Sequence, residues 1–227
     1  MRLRSLLMGD VRFQFKYGFY FLYLLFSLLY VALLSAFPEE WRIAAAALMI
    51  LTDPAAMGLY FMGAILFYEK SERVLDSLAV SPVRPLEYVL SKLFSIGLIS
   101  TAAGLTISAA GGVGGQPLCF SVGLLLCSCL FSAIGLLLAC KTSTLNQFIL
   151  ATVPAELAAF FPALFWLFGN RTPLYLLHPG VCMLALATGE DHPAAALLSL
   201  LFWTALFTYL ACSATARTLN PRGGIRA

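Results

Sequence analysis

No stretch of the chain reads G-x-x-x-x-G-K followed by Ser or Thr, the loop whose backbone amides cradle nucleotide phosphates. Any nucleotide hydrolysis that relies on that loop must come from elsewhere. Charge is scarce as well. Lys and Arg number 14 and Asp and Glu 11, so charged residues fill only 11% of 227 positions, against 61% apolar. That balance excludes a soluble domain. The net charge of +3 is spread over helix flanks and forms no basic block, which argues against nucleic acid as a partner. His178 and His192 are the only histidines, and no carboxylate-rich cluster accompanies them, so the sequence offers no metal site.

Six cysteines are present: Cys119, Cys127, Cys129, Cys140, Cys182 and Cys212. Most lie within apolar runs, where Cys behaves as a small hydrophobe. Cys127 and Cys129 fall about 200° apart on a helix and cannot share a metal. Cys119 and Cys182 both fall on the same side of the predicted membrane topology, which leaves one disulfide open.

What the chain has in abundance is long apolar runs, with a mean hydropathy of +0.90. A bilayer core of about 30 Å needs roughly 20 apolar residues in helix. Six segments qualify: 17–37, 43–68, 88–110, 118–139, 145–168 and 194–216. The chain therefore reads as one all-α membrane domain over 1–227. Residues 1–16 place Leu3, Leu7, Val11 and Phe15 at four-residue steps among Arg2, Arg4, Arg12 and Lys16. That spacing predicts an amphipathic helix on the membrane surface, its basic stems reaching towards headgroups. A signal peptide fits less well, because the run after it is too long and lacks a small-residue cleavage site.

Within the second span, Asp53 followed by Pro54 is a helix-start signal, with Asp as N-cap and Pro at N1. The expected result is one span kinked or interrupted near Asp53. Residues 170–193 are of intermediate hydrophobicity, and their apolar run 174–187 is broken by His178-Pro179-Gly180. Fourteen residues suit a re-entrant or interfacial hairpin better than a crossing. The glycine cluster at 111–115 reads as a turn. With six spans and a cytoplasmic N-terminus, the inner segments hold twelve Lys and Arg and the outer ones only Arg42 and Arg171. This asymmetry predicts both termini in the cytoplasm of a plasma (inner) membrane protein.

The densest polar cluster is "EKSERVLDSLAVSPVRPLEY", residues 69–88, which this topology places in the cytoplasm. Val74, Leu75, Leu78 and Ala79 form an apolar stripe at helical spacing. Glu69 and Arg73 make a favourable i,i+4 pair, and Pro82 and Pro85 stop the helix. From composition alone this is a solvated loop; from its spacing it is a short amphipathic helix across the inner ends of spans two and three.

Glu69, Lys70, Glu72, Leu75, Leu78, Ser81 and Pro82 spell E-K-x-E-x-x-L-x-x-L-x-x-S-P, followed by Glu87 and by Lys92 at the start of the third span. Taken with the order of elements, this resembles the ABC-2 family of transporter permeases. With "TDPAAMGLYFMGAILFYEKSER" it looks most like permeases of fluoroquinolone export. The resemblance implies that 69–87 is a coupling segment that docks on a separate ATP-hydrolysing subunit. Val74, Leu75 and Leu78 would enter that subunit, with Glu69, Glu72, Arg73 and Asp76 setting the register. It implies further that ATP and Mg bind the partner and no cofactor binds this chain. A second copy, or a related permease, would complete the pathway. The expected activity is export of a hydrophobic or amphipathic compound, drug-like or lipid, by an ATP-driven exporter.

Glu156, in the middle of the fifth span, carries a charge that costs roughly 2.5–3.5 kcal/mol at that depth unless it is protonated, paired or wet. It is a candidate for the translocation path or for an interface, as is Asp53, although an N-cap role would explain Asp53 fully. Phe160 and Phe161 belong to an aromatic group that packs against helices or lipid, or lines a path for an apolar substrate. A membrane-embedded enzyme would need a nucleophile–base pair or a metal cluster within the spans. Glu156 stands alone, and both histidines lie outside the spans. A non-transporting immunity or assembly protein on the same fold is the other alternative.

Overall fold

The structure is a computed structural model and describes residues 2–81, 83–169, 172, 176–190 and 192–219. Pro82, Arg171, Arg222 and Arg226, with 170 and 174 of the outer segment, lie outside the described residues. Ten α-helices follow one another: α1 (Arg2–Lys16), α2 (Phe19–Ala36), α3 (Glu39–Ile50), α4 (Met57–Ser71), α5 (Val74–Ala79), α6 (Pro85–Gly111), α7 (Pro117–Lys141), α8 (Leu145–Phe168), α9 (Pro179–Thr188) and α10 (Pro193–Leu219). No strand occurs among the described residues. Among the described residues, six helical stretches are long and apolar enough to cross a membrane, with α3 and α4 together forming one of them.

α3 and α4 are joined by a π-helical turn, Leu51–Ala55, which holds Asp53 and Pro54. The sequence had suggested a fresh helix start with Asp53 as N-cap. Instead the chain stays helical through Pro54, and the wider i→i+5 turn absorbs the donor that proline lacks. Residue 56, not Asp53, precedes α4. The second span is thus continuous but bulged.

α7 is the most buried span and packs against α4, α6 and α10. Lipid is as apolar as a leucine side chain, so helix association in a membrane depends on close packing and not on the hydrophobic effect. The α4–α7 contact shows this directly. A Cβ on Gly135 would lie 2.2 Å from the Leu59 carbonyl oxygen and 2.8 Å from its Cα, and backbone cannot yield as a side chain can. Gly135→Ala is expected to lower stability by about 1–3 kcal/mol. Unfolding of the detergent-solubilised chain by heat or denaturant measures this.

α9 answers the expectation of an outer hairpin with a single ten-residue helix. Its residues Gly180 to Ala187 are all buried against α3, α7, α8 and α10. Being surrounded by protein satisfies the condition for a short segment at membrane depth. Its end is tied to the glycine turn, where the Gly114 N–H donates to the Ala187 carbonyl at 2.7 Å. Cys182 lies within α9, where its thiol donates to the Leu176 carbonyl. The Cys119 thiol donates to Gln116, and all six cysteines are free. The disulfide left open by the sequence is not made.

Candidate functional site

The strongest polar feature lies where α1, the end of α4 and the start of α6 meet. Tyr88, Ser91, Lys92 and Ser95 follow one another at i, i+3, i+4 and i+7, so they form one polar stripe on an otherwise apolar helix. Asp10 and Gln14 project from α1 towards this stripe, and Glu69 reaches it from the last turn of α4. Lys92 is only 2% exposed. Its Nζ lies 2.5 Å from Glu69 Oε1 and 3.0 Å from Asp10 Oδ1.

Each carboxylate uses its second oxygen as well. The Tyr88 hydroxyl donates to Glu69 Oε2 at 2.5 Å, and the Ser91 hydroxyl donates to Asp10 Oδ2. Gln14 Nε2 donates to Ser95 Oγ at 2.6 Å, adding a neutral rung next to the charged one. The Lys92 ammonium also stands 4.8 Å from the Tyr88 ring centroid. One cation thus joins three helices through two carboxylates. A burial this deep is tolerable only because every charged atom is paired and hydrogen-bonded.

This placement revises two expectations. Glu69 is buried within this chain and bonded to Lys92 and Tyr88, and it does not pair with Arg73. The i,i+4 geometry fails because α4 ends at Ser71 and Arg73 turns left-handed, with φ 55°. α1, expected simply to float on the membrane, is anchored to α6 by its polar face. Of the predicted apolar stripe, Leu3 and Phe15 are exposed, while Leu7 and Val11 are half-buried.

α5 is one and a half turns long, too short to be stable alone. It is held because Leu75, 9% exposed, joins the buried apolar cluster at this end of the bundle, where α5 packs against α4 and α10, with Leu78 packed against the same core. Of the stripe expected to enter a partner, Leu75 faces inward and Leu78 is half-buried, while Val74 and Ala79 are exposed. Glu72, Arg73, Asp76, Ser77 and Val80 form the outward face, and Val80 is 88% exposed. Two further ties fix the ends of this segment. Lys70 Nζ donates to the carbonyls of Ala139 and Thr142 at the C-terminal end of α7, at 2.8 and 3.3 Å. The Arg84 N–H donates to Glu87 at 3.0 Å, closing the first turn of α6 behind Pro85.

Arg73 is the sole described non-glycine residue with positive φ. An L side chain there costs about 1–2 kcal/mol, and glycine escapes most of that cost. Arg73→Gly is therefore expected to leave stability unchanged or to raise the unfolding midpoint slightly, whereas Arg73→Val should lower it. Parallel melting curves decide this.

The intramembrane candidates do not gather into one cluster. Asp53 is half-buried in the π-helical turn. Glu156 is half-buried on α8, where it and Thr152 interact with Tyr60 of α4. Tyr60 follows Asp53 by seven residues along the second span, with the rest of the π-helical turn between them. Phe160 and Phe161 point different ways. Phe160 stacks on Phe131 in the core, at 6.2 Å between centroids. Phe161 is exposed and joins Leu164, Phe165 and Phe168 around an open apolar groove of about 410 Å³. No group of three or more His, Cys, Asp or Glu among the described residues could hold a metal. The His178 ring instead donates from Nε2 to the Ala158 carbonyl at 2.9 Å, linking α9 to α8.

These features define a multi-pass helical membrane protein whose polar groups tie helices together. The sequence matches the fluoroquinolones export permease protein family over residues 1–212, and the chain belongs to that family. The family is one of permeases. Among known proteins the chain is similar to the fluoroquinolones export permease proteins of two Mycobacterium tuberculosis strains. Identity to each is 27% over 128 residues, covering 56% of this chain and 54% of the relative. The chain spans about half the length of the curated relatives it matches.

Proposed function

We propose that the chain is the membrane subunit of an ABC-2-type, ATP-driven exporter of hydrophobic or amphipathic compounds, fluoroquinolones among them. The observation that carries this reading is the mounting of α5. A six-residue helix between two spans is locked at its base by Leu75, Lys70 and the Lys92 network, yet it presents a charged, protruding face of Glu72, Arg73, Asp76, Ser77 and Val80. A rigid base with a free polar face suits a lever that receives force from a partner. The sequence has no phosphate-binding loop, so that partner is the ATPase, which holds ATP and Mg.

The excess of basic residues beside α1, α5 and α10 supports a reading with this end in the cytoplasm and the chain in the plasma membrane. Closure of two ATPase subunits on ATP would push α5. The network would then pass the displacement to α4 and α6 directly and to α1 through Asp10. A second copy, or a related permease, would face the bilayer midplane region carrying Asp53, Tyr60 and Glu156, where a carboxylate facing a wet path is tolerable. Substrate would enter from the cytoplasm or the inner leaflet.

The test is purification of the tagged chain in mild detergent from cells that express its ATPase partner. Vanadate-sensitive ATP hydrolysis that co-elutes with the chain is expected. A pure, folded chain that never brings hydrolysis with it contradicts the reading.

A further inference from the structure

α1 has a second face that the network does not use. Asp10 is its one acidic residue, and it is turned inward onto Lys92. The opposite face is therefore left with one sign of charge. Arg4, Met8 and Arg12 line up at four-residue steps, all exposed, and neither arginine makes an ion pair among the described residues. Together with Ser5 and Gly9 they bound a shallow groove of about 390 Å³. The two arginines are about 12 Å apart along the helix, close enough for their guanidinium groups to converge over the residues between.

Gly9 forms the floor of this groove. A glycine in a helix interior costs roughly 1 kcal/mol relative to alanine. Packing does not explain it, because a Cβ there would meet nothing within 4 Å. What it provides is an open floor between two cations. Beside the groove, Met8 and Phe15 hold exposed apolar side chains, Phe15 at 75%. α1 ends only two residues before the span α2 begins at Phe19, so the groove lies at the membrane boundary.

We infer that this groove binds the headgroup of an anionic phospholipid, of the phosphatidylglycerol class, from the leaflet on the α1 side. Guanidinium forks match phosphate oxygens bidentately, and the exposed Met8 and Phe15 cover the glycerol and upper acyl region that a soluble anion lacks. The bound lipid steadies α1, and through Asp10 it steadies the Lys92 network as well.

The test uses the full chain, delipidated in detergent and titrated with phosphatidylglycerol, phosphatidylcholine or inorganic phosphate, with bound lipid read by native mass spectrometry. Phosphatidylglycerol should be retained well above phosphatidylcholine. Arg4→Gln with Arg12→Gln should weaken that retention about thirtyfold, since each basic residue near a membrane surface contributes a factor of about five. Gly9→Leu, which fills the floor, should weaken it with both arginines intact. Circular dichroism should show both variants folded. Equal retention of the two lipids, or either variant at wild-type retention, overturns the assignment. So does displacement of the lipid by equimolar inorganic phosphate, which would mark a simple anion site. An arginine variant that keeps its lipid but loses co-eluting ATPase would assign the face to the partner protein instead.

Discussion

Lys92→Met is expected to destabilise the chain by about 3–5 kcal/mol, the cost of stranding buried charges without their partner. The substitution keeps the length and apolar stem of lysine, so packing is nearly conserved. What remains is Glu69 at 8% exposure and the partly buried Asp10, both converging on an empty cationic position. Without the cation between them the two carboxylates repel, which drives α1 away from α6. Unfolding in detergent, followed by tryptophan fluorescence or by denaturant, measures the loss. Because the cost arises from imbalance, the triple variant Asp10→Asn, Glu69→Gln, Lys92→Met should recover most of it. Asp10→Asn alone should be mild, since it leaves a one-to-one pair. A Lys92→Met chain as stable as wild type would show that the network contributes nothing.

Asp76→Arg combined with Val80→Asp should reduce association with the proposed ATPase partner by roughly tenfold or more, the size of a change of about 1.4 kcal/mol at an interface centre. Both positions are exposed, Asp76 on α5 and Val80 just after it, so the melting curve should be unaltered. Leu75→Asp gives the contrasting result. Leu75 belongs to the buried apolar cluster at this end of the bundle, so a carboxylate there disrupts the chain's own core before any partner is involved. Equal loss of association in both variants, with both folded, would return the apolar stripe to the interface.

The contrast shows how much of the molecule is legible in its sequence. Long apolar runs, the proline stops and the amphipathic spacing at 74–79 locate the six spans and α5 directly, because hydropathy and local backbone chemistry act over a few residues. Which way α5 turns its stripe is not local. A short helix offers its apolar side to the nearest apolar surface, and here that surface is the chain's own bundle.

The Lys92 network was even less visible. Asp10 and Lys92 are 82 positions apart, and Glu69 and Lys92 are 23 apart across a helix and two turns. One signal was available: Tyr88, Ser91, Lys92 and Ser95 keep helical period in an apolar span, and Asp10 is the lone acid in a basic helix. A polar stripe facing a lone acid is a pairing hypothesis that spacing alone can raise. Asp53 shows the opposite failure. Its Asp-Pro signature for a helix start is sound locally, but tertiary packing keeps the helix running and pays with a π-helical turn.

The central claim is that force from ATP enters this permease through α5. Inverted membrane vesicles from cells expressing the chain with its ATPase partner test it most directly, by accumulation of a fluorescent fluoroquinolone. Accumulation is predicted to require ATP, to survive collapse of the proton gradient and to vanish in the Asp76→Arg, Val80→Asp variant. Accumulation that runs without ATP and stops when the gradient is collapsed would contradict it.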